Sequence, residues 1–417
     1  MHVCRPGQTW LAFRRSLLFG SMIVLLSTVT SLGAGRSQCA HAPPYPHCTA
    51  DYPLQHRYAV KVLERDPFHG RPLIAASNGD STFEYNFNGP WIPTPPGSDP
   101  AKDSLIVRIQ ENWRLPNATH PEWTDTGALV AVKADLARGT VEHIHEGLVF
   151  WPGTSPPPQH QPLCTKPHPL CGWGAIDPRV TYRPKTLEYY LTWDNCTFEC
   201  AFRSSMLSVS KDPFNHESWT LVGPVIPKMQ TAGVSLLFRD ETGPDAKHLA
   251  FVSSYNCFTI LLAESSDGKN NWTITDPTWM QGRPGCWDAC GTIAGAQPER
   301  LSTGDYFLLY NIDTEAAGLG NDTKPLGRCT IGWAILNGTD PRQVVARSSS
   351  AIVTPTMPWD TTQCNGNNTI DSCQTPNVIF ATGLKPLGND AFLVIYGGGD
   401  TDTAAIKIQV EVAAAPR

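Results

Sequence analysis

Short runs of apolar residues, each bounded by turn-forming residues, recur along the chain after about residue 73. Runs this short, bounded by Gly, Asn and Asp, are typical of strands rather than helices. No helix-period segment of ordinary length stands out there, so the sequence predicts an all-β fold. Five runs have the same character, and they cover 104–109, 188–193, 249–254, 306–311 and 392–396.

A turn signature also repeats, at a spacing of roughly 55 residues. Ser208-Val-Ser-Lys-Asp212 is followed by Trp219, and Glu264-Ser-Ser-Asp267 is followed by Trp272. In each copy a strand ends in Ser, an Asp turn follows, and a Trp opens the next strand. Such repetition is typical of a propeller of four-stranded antiparallel blades, and five similar strands predict five blades. A β-sandwich with recurring turns is the alternative.

The N-terminal 38 residues have the pattern of a targeting segment. Arg14 and Arg15 precede an apolar run from Leu17 to Gly35 that ends in small residues. We expect a cleaved signal peptide and a secreted protein. The run is long for a signal, so an uncleaved membrane anchor in the secretory pathway is the alternative. Residues 39–72, rich in Pro and His, are predicted to form an irregular arm, and residues 73–417 to form the propeller.

Sequons and cysteines agree with export. Twelve of the 13 cysteines follow the targeting segment, an even number that predicts disulfides in an oxidising compartment. Close spacing suggests local pairs, although connectivity does not follow from sequence: Cys39 with Cys48, Cys164 with Cys171, Cys196 with Cys200, and Cys364 with Cys373. Six Asn-X-Thr sequons predict a glycoprotein; they begin at Asn117, Asn195, Asn271, Asn321, Asn337 and Asn367.

Charge and ligand patterns exclude some partners. The formal net charge is −6 and no basic run occurs, which argues against a nucleic-acid partner, because phosphate contacts need clustered Lys and Arg. Cys286 and Cys290 are a less favoured metal alternative, since no further His or Cys cluster completes four ligands. No metal and no other cofactor is therefore predicted.

Two carboxylates stand beside strands in settings that suit chemistry. Gly174-Ala-Ile-Asp177-Pro-Arg179 sets an acid next to an arginine at the start of a strand. Near the C-terminus, an apolar strand ends in Gly397-Gly-Gly, which presents Asp400. Two acids delivered by separate strands are what sugar-cleaving chemistry uses. The alternatives are a turn salt bridge at Asp177 and a turn cap at Asp400.

Five motifs, in order from about residue 80 to the end, resemble glycoside hydrolase family 130, the β-mannoside phosphorylases and β-1,2-mannosidases. The resemblance implies a five-bladed propeller that acts on a glycan substrate. The motifs are Asn88-Gly-Pro-Trp-Ile-Pro with Ser104-Leu-Ile-Val-Arg108, then Gly174 to Arg179, Ala294-Gly-Ala-Gln-Pro298, 328–347 with Ile331-Gly-Trp-Ala-Ile-Leu, and 377–401.

The resemblance implies roles for single residues. Asp177 falls on the general acid, which in the phosphorylases acts through a sugar hydroxyl. Asn88 and Asp400 fall on positions that hold the sugar. Arg108 and Arg179 would contact the sugar or an anion. Ile176 stands where the family usually has Glu.

A further departure bears on the nucleophile. Glu299-Arg300 lies near a position where phosphorylases carry Lys, so Glu299 is the candidate base for water and Arg300 a candidate substrate contact. Because a secreted protein lacks abundant phosphate, the first prediction is an inverting β-mannoside hydrolase. A phosphorylase using inorganic phosphate and an inactive glycan-binding propeller are the alternatives.

Overall fold

Nearly all regular structure in the chain is β-strand. The exceptions among the described residues are a short 3₁₀ helix, Gln55–Arg57, and one short α-helix, α1, Pro358–Thr361. The computed structural model describes residues 52–75, 85–95, 103–110, 128–142, 148–150, 174–196, 203–215, 218–240, 243, 246–255, 258–284, 286–289, 291–313, 329–361 and 377–413.

The strands form five antiparallel sheets, called blades one to five here in chain order. Blade one contains β2 (Tyr85–Phe87), β3 (Asp103–Gln110), β4 (Ala128–Asp135), β5 (Thr140–Val141) and β6 (Leu148–Phe150). Blade two contains β7 (Gly174–Arg183), β8 (Glu188–Cys196), β9 (Arg203–Ser210) and β10 (Thr220–Pro224). Blade three contains β11 (Thr231–Leu237), β12 (His248–Ser254), β13 (Ile260–Ser265) and β14 (Thr273–Met280).

Blades four and five complete the set. Blade four contains β15 (Ile293–Ala294), β16 (Glu299–Arg300), β17 (Tyr306–Asp313), β18 (Cys329–Leu336) and β19 (Val344–Arg347). Blade five contains β20 (Ile379–Gly388), β21 (Ala391–Gly398), β22 (Asp402–Val412) and the N-terminal strand β1 (Tyr58–Glu64). The five apolar runs singled out in the sequence are β3, β8, β12, β17 and β21, the second strand of each blade in turn.

Five apolar clusters lie between the blades and close the ring. Because the contacts return from blade five to blade one, the fold is the predicted five-bladed β-propeller, and the sandwich alternative is wrong. Each cluster includes a pair from neighbouring blades: Ile106 with Leu191, Leu207 with Val234, Phe251 with Leu308, Leu309 with Val394, and Ile395 with Val107.

The last blade is completed by the N-terminal segment. β1 pairs antiparallel with β22, from Tyr58 opposite Val412 to Glu64 opposite Lys407. The predicted irregular arm, 39–72, therefore contains a strand of the propeller, and the domain begins before residue 73. The burial of the β1 residues alternates along the strand, as an edge strand with one covered face requires.

Closure by β1 leads to a stability prediction. Deleting residues 1–64 would leave β22 as an unpaired edge with its apolar face uncovered, so we expect aggregation and a lower thermal midpoint. Deleting residues 1–51 leaves β1 in place and serves as the control. Thermal unfolding and size-exclusion chromatography measure both. Equal midpoints for the two deletions would show that β1 contributes nothing to closure.

Several sequence predictions fall outside the described residues. These are the targeting segment 1–38, the sequons at Asn117, Asn321 and Asn367, and at least one cysteine of each predicted local pair. Within the described ranges, no helix has the length and apolar character needed to cross a bilayer.

Candidate active site at the upper end of the central channel

The innermost strand of every blade carries an irregularity at about the same depth. These strands line the propeller axis, and the end at which they begin is called the upper end here. At the irregularity each strand has at least one more residue than its partner, and such bulges re-aim side chains and commonly border active sites. The bulges fall at Asn88–Pro90, Asp177–Pro178, Ala232–Gly233, 295–298 and Thr382.

Asp177 lies in the bulge of β7 with its side chain almost buried. Its φ is +49°, in the left-handed region that a non-glycine residue rarely occupies, which suggests a position held for function. The Oδ1 atom accepts hydrogen bonds from Asn88 Nδ2 at 2.8 Å and Arg108 Nη1 at 2.9 Å. The Oδ2 atom accepts from Arg203 Nη2. The structure thus brings together three of the predicted residues, Asn88, Arg108 and Asp177.

The surrounding charges decide the ionisation of Asp177. Burial by itself raises the pKa of this carboxyl, but Arg203, Arg108 and Arg179, together with the hydrogen bond from Asn88, outweigh burial and lower the pKa to about 2. The ligand-free site therefore holds an ionised carboxylate at neutral pH. A general acid must carry a proton, so the predicted role requires a change in these contacts when substrate binds.

Arg203 and Asp194 complete the cluster, and neither was predicted from the sequence. Asp194 has no exposed surface; its Oδ1 accepts from Ser205 Oγ at 2.5 Å and from the Gly233 N–H at 2.9 Å. Its Oδ2 accepts from Arg203 Nε at 3.1 Å and from Nη2 at 2.7 Å. The sequence gives little sign of this pair, because Arg203 and Asp194 stand next to the polar residues Ser204 and Asn195, and only the fold brings the two charges together.

Arg179, on blade two, bonds to blade four and packs against blade three instead of facing a ligand. It is 1% exposed; Nε donates to Gly295 O at 2.6 Å, Nη2 to Ala294 O at 2.6 Å, and Nη1 to Asp177 O at 2.9 Å. It also packs against Gly233, where a Cβ would lie 2.6 Å from Nη2. The expectation that Arg179 contacts sugar or an anion is therefore corrected, since its donors bind backbone carbonyls.

The position of the Asn88 side chain requires the glycine run at the end of β21. Asn88 has φ +53° and is 2% exposed, and its Oδ1 accepts no hydrogen bond from the described residues. A Cβ on Gly397 would lie 2.0 Å from that oxygen, so the glycine admits the Asn88 side chain. Asp400 follows three residues later in the turn after β21, with φ +52° and a half-buried side chain.

Gly397→Ala is expected to disturb this arrangement. The added methyl overlaps Asn88 Oδ1 and must displace the carboxamide from Asp177, so sugar affinity and activity should fall together. Isothermal calorimetry with a β-mannoside, the ligand class that the sequence resemblance predicts, measures the first effect. In a double-mutant cycle, adding Gly397→Ala to Asn88→Ala should cost little more than Asn88→Ala alone. Full additivity would show that Gly397 acts elsewhere.

Glu299 and Arg300 have no described hydrogen bond to the Asp177 cluster. They form β16, beside the turn at the lower end of blade four. The side chain of Glu299 accepts from Gln297 Nε2 at 3.3 Å, whereas Arg300 is exposed and lies over the Tyr306 ring. Neither has a described contact with the Asp177 carboxylate.

Glu299 also has the wrong protonation for a base at neutral pH. Glu299 is half-buried, and protein atoms surround its carboxyl. This burial raises the pKa of Glu299 to about 8, although the hydrogen bond from Gln297 by itself lowers it. The pKa of Asp177, the predicted acid, is thus lowered, although an acid needs a raised pKa. The pKa of Glu299, the predicted base, is raised, although a base at neutral pH needs a lower one. The sequence could not show this, because each shift depends on how the folded blades bury and surround the carboxyl.

Glu299→Gln tests the raised pKa through stability. Since the folded-state pKa lies above the ordinary 4.5, the contribution of Glu299 to stability is full below 4.5 and is lost as pH rises through about 8. Gln mimics the protonated form. We expect equal thermal midpoints for variant and wild type at pH 4.5 and a higher midpoint for the variant at pH 9. A constant difference across that range would contradict the shift.

The described residues contain no group of three or more His, Cys, Asp or Glu side chains placed to hold a metal ion. The polar groups of the site are instead the carboxylates Asp177 and Asp194, the guanidinium groups of Arg108 and Arg203, and the Asn88 carboxamide. Such a set suits hydrogen bonding to sugar hydroxyls or to an anion.

Comparisons with known proteins agree with this architecture. No family model matches the sequence. The 1,2-β-oligomannan phosphorylase of Thermoanaerobacter sp. is 28% identical over 136 residues, which is 33% of this chain and 38% of that protein. The structure of β-1,2-mannobiose phosphorylase from Listeria innocua in complex with β-1,2-mannobiose is similar over 84% of this chain and 96% of that chain, with a TM-score of 0.56 and 18% identity.

A second similar structure belongs to the GH130 family of mannoside phosphorylases, which contains glycoside hydrolases that target β-1,2 mannosidic linkages in Candida mannan. It covers 87% of this chain and 97% of that chain, with a TM-score of 0.56 and 15% identity. The predicted resemblance to glycoside hydrolase family 130 is therefore confirmed. The sequence match spans 38% of the length of the curated phosphorylase, well under half.

Proposed function

We propose that this protein is an enzyme that cleaves β-mannosidic linkages at the upper end of its channel. The observation that carries the proposal is Asp177, a strained and buried carboxylate in a ring of bulges, bound by Asn88, Arg108 and Arg203. The partial sequence match to an oligomannan phosphorylase supports mannosides as the substrate class. Glycoside cleavage needs an acid near the leaving oxygen, and Asp177 is the proposed acid.

The nucleophile is either water or phosphate. An inverting hydrolase needs a second carboxylate about 6.5 to 9.5 Å from the acid, with room for water between them. Asp194 does not fit, because one guanidinium nitrogen binds both carboxylates, so their bonded oxygens lie within about 5 Å. Asp400, half-buried at the end of blade five, is a further candidate base. We propose hydrolysis as the first candidate reaction, because the predicted signal peptide and sequons indicate the secretory pathway.

Phosphorolysis is the second candidate, and a specific observation favours it. The cluster contains Arg108, Arg179 and Arg203 against Asp177 and Asp194, an excess of one positive charge in a buried setting. A phosphate ion beside Arg203 would neutralise that excess, and arginine binds phosphate oxygens with two parallel hydrogen bonds.

An assay of mannose release tests the proposal. Purified full-length protein is incubated with β-1,2-mannobiose and longer β-1,2-mannans, with and without inorganic phosphate, and products are separated by chromatography. Free mannose without phosphate supports hydrolysis, and mannose 1-phosphate formed only with phosphate supports phosphorolysis. Binding without turnover in either condition would contradict the enzyme proposal and leave a glycan-binding propeller.

A further inference from the structure

The two oxygens of the Asp177 carboxylate are held in different ways. Oδ1 is bonded by Asn88 and Arg108, which are 2% and 4% exposed; Asn88 is confined by Gly397, and Arg108 lies 4.3 Å from the centre of the Phe87 ring. These partners have little room to move. Oδ2 is bonded, among the described residues, by Arg203, whose side chain is 15% exposed. Oδ2 is therefore the oxygen that a ligand from the channel can reach.

We propose that Arg203 is a movable counter-ion of Asp177, which occupies Oδ2 in the ligand-free protein and gives way there to a substrate hydroxyl. The inference rests on the proposed function and extends it by naming a positioning residue. The geometry allows the movement because Arg203 Nη2 bridges Asp177 and Asp194, and its Nε also donates to Asp194. When Arg203 leaves Oδ2, its guanidinium therefore keeps its hydrogen bonds to Asp194.

Asp194 keeps Arg203 within reach of the acid. It has no exposed surface, and bonds from Ser205 Oγ and the Gly233 N–H fix its Oδ1. The ring of Tyr255, which is half-buried, lies 5.8 Å from Arg203 Cζ and supports the guanidinium from another side. Asp194 cannot touch a sugar itself, so its influence on Asp177 passes through Arg203.

The movement gives Asp177 a complete proton cycle. When a substrate hydroxyl replaces Arg203 at Oδ2, Asp177 loses one stabilising charge and takes a proton from solvent. That proton passes to the leaving sugar oxygen, directly or through the hydroxyl, as the glycosidic C–O bond breaks with its electron pair going to that oxygen. As that bond breaks, the anomeric carbon bonds to phosphate or to water, and an attacking water gives one proton to solvent. Asp177 is then a carboxylate again, and Arg203 returns to its Oδ2 atom. Arg108 and Arg179 remain beside it throughout.

Carboxyl ¹³C NMR of the full chain, labelled at aspartate, tests the counter-ion role without using activity. The Asp177 signal is assigned from its loss in Asp177→Asn. Arg203→Met should raise the Asp177 pKa by about 1 to 3 units, the range for loss of a close opposite charge. Arg203→Lys, which keeps a cation at this position, should keep it low. Arg138→Met, at an 83% exposed side chain, is the control and should leave it unchanged.

Substrate binding tests the movement itself. Saturating β-1,2-mannobiose should raise the Asp177 pKa in the wild type and add little in Arg203→Met. An unchanged Asp177 pKa in Arg203→Met, or a wild-type pKa that stays low with ligand bound, would overturn the inference. If the wild type binds the disaccharide, shows both shifts and never cleaves it, the proposed function fails while the counter-ion role stands.

Discussion

Asp177→Asn is expected to reduce kcat for β-mannoside cleavage by about 10²- to 10⁴-fold, the usual contribution of a positioned acid. Asn keeps the shape of the side chain and an acceptor for Asn88 or Arg108, yet it cannot deliver a proton. It also leaves buried arginines without their counter-charge, so we expect a stability loss of about 3 kcal/mol. Steady-state kinetics and thermal unfolding measure the two effects separately.

A matched control separates chemistry from folding. Asp212→Asn makes the same chemical change at an exposed turn residue, where the carboxylate caps the Phe214 N–H. This control should retain activity and most of its stability. If Asp177→Asn keeps wild-type kcat under conditions where it is folded, Asp177 is not the acid.

The largest stability effect is expected for Arg179→Met. The substitution removes the donors to three carbonyls, those of Asp177, Ala294 and Gly295, and takes a cation away from two buried carboxylates. Breaking a buried pair by removing one partner costs about 3 to 5 kcal/mol. We expect unfolding at clearly lower urea concentration. Arg138→Met should match the wild type, and equal losses for both variants would contradict the assignment of Arg179 as the link between blades.

Much of the fold was accessible from the sequence because strand signals are local. Each of the five second strands is a continuous apolar run between turn residues, and the clusters between blades follow from burying both faces of these strands. β1 was missed because it lies within a segment whose Pro and His suggested irregular structure. Its partner β22 lies more than 300 residues away in the chain.

The site was only partly predictable, and for a related reason. Asn88, Arg108 and Asp177 were found through motifs that each contain recognisable neighbours. Arg203 and Asp194 belong to no such motif, and they acquire meaning only when blade two folds and sets them beside Asp177. Arg179 was assigned to the ligand through the motif that it shares with Asp177, whereas its guanidinium extends to the carbonyls of blade four.

The protonation states show what lies beyond sequence reasoning. Asp177 and Glu299 are both carboxyls next to strands, yet one sits among three arginines and the other among uncharged groups. The pKa of Asp177 is lowered to about 2 because Arg203, Arg108 and Arg179, from blades one and two, outweigh burial, and burial raises the pKa of Glu299 to about 8. The assignment of acid and base has to be made from this geometry.

A crystal structure of the Asp177→Asn variant soaked with β-1,2-mannobiose tests most directly whether the upper end of the channel is where a mannoside binds. We predict one sugar ring beside Asn88, with a hydroxyl at the position of Asp177 Oδ2 and Arg203 turned toward Asp194. Disaccharide bound outside the ring of bulges, with Arg203 still at residue 177, would contradict the proposed site.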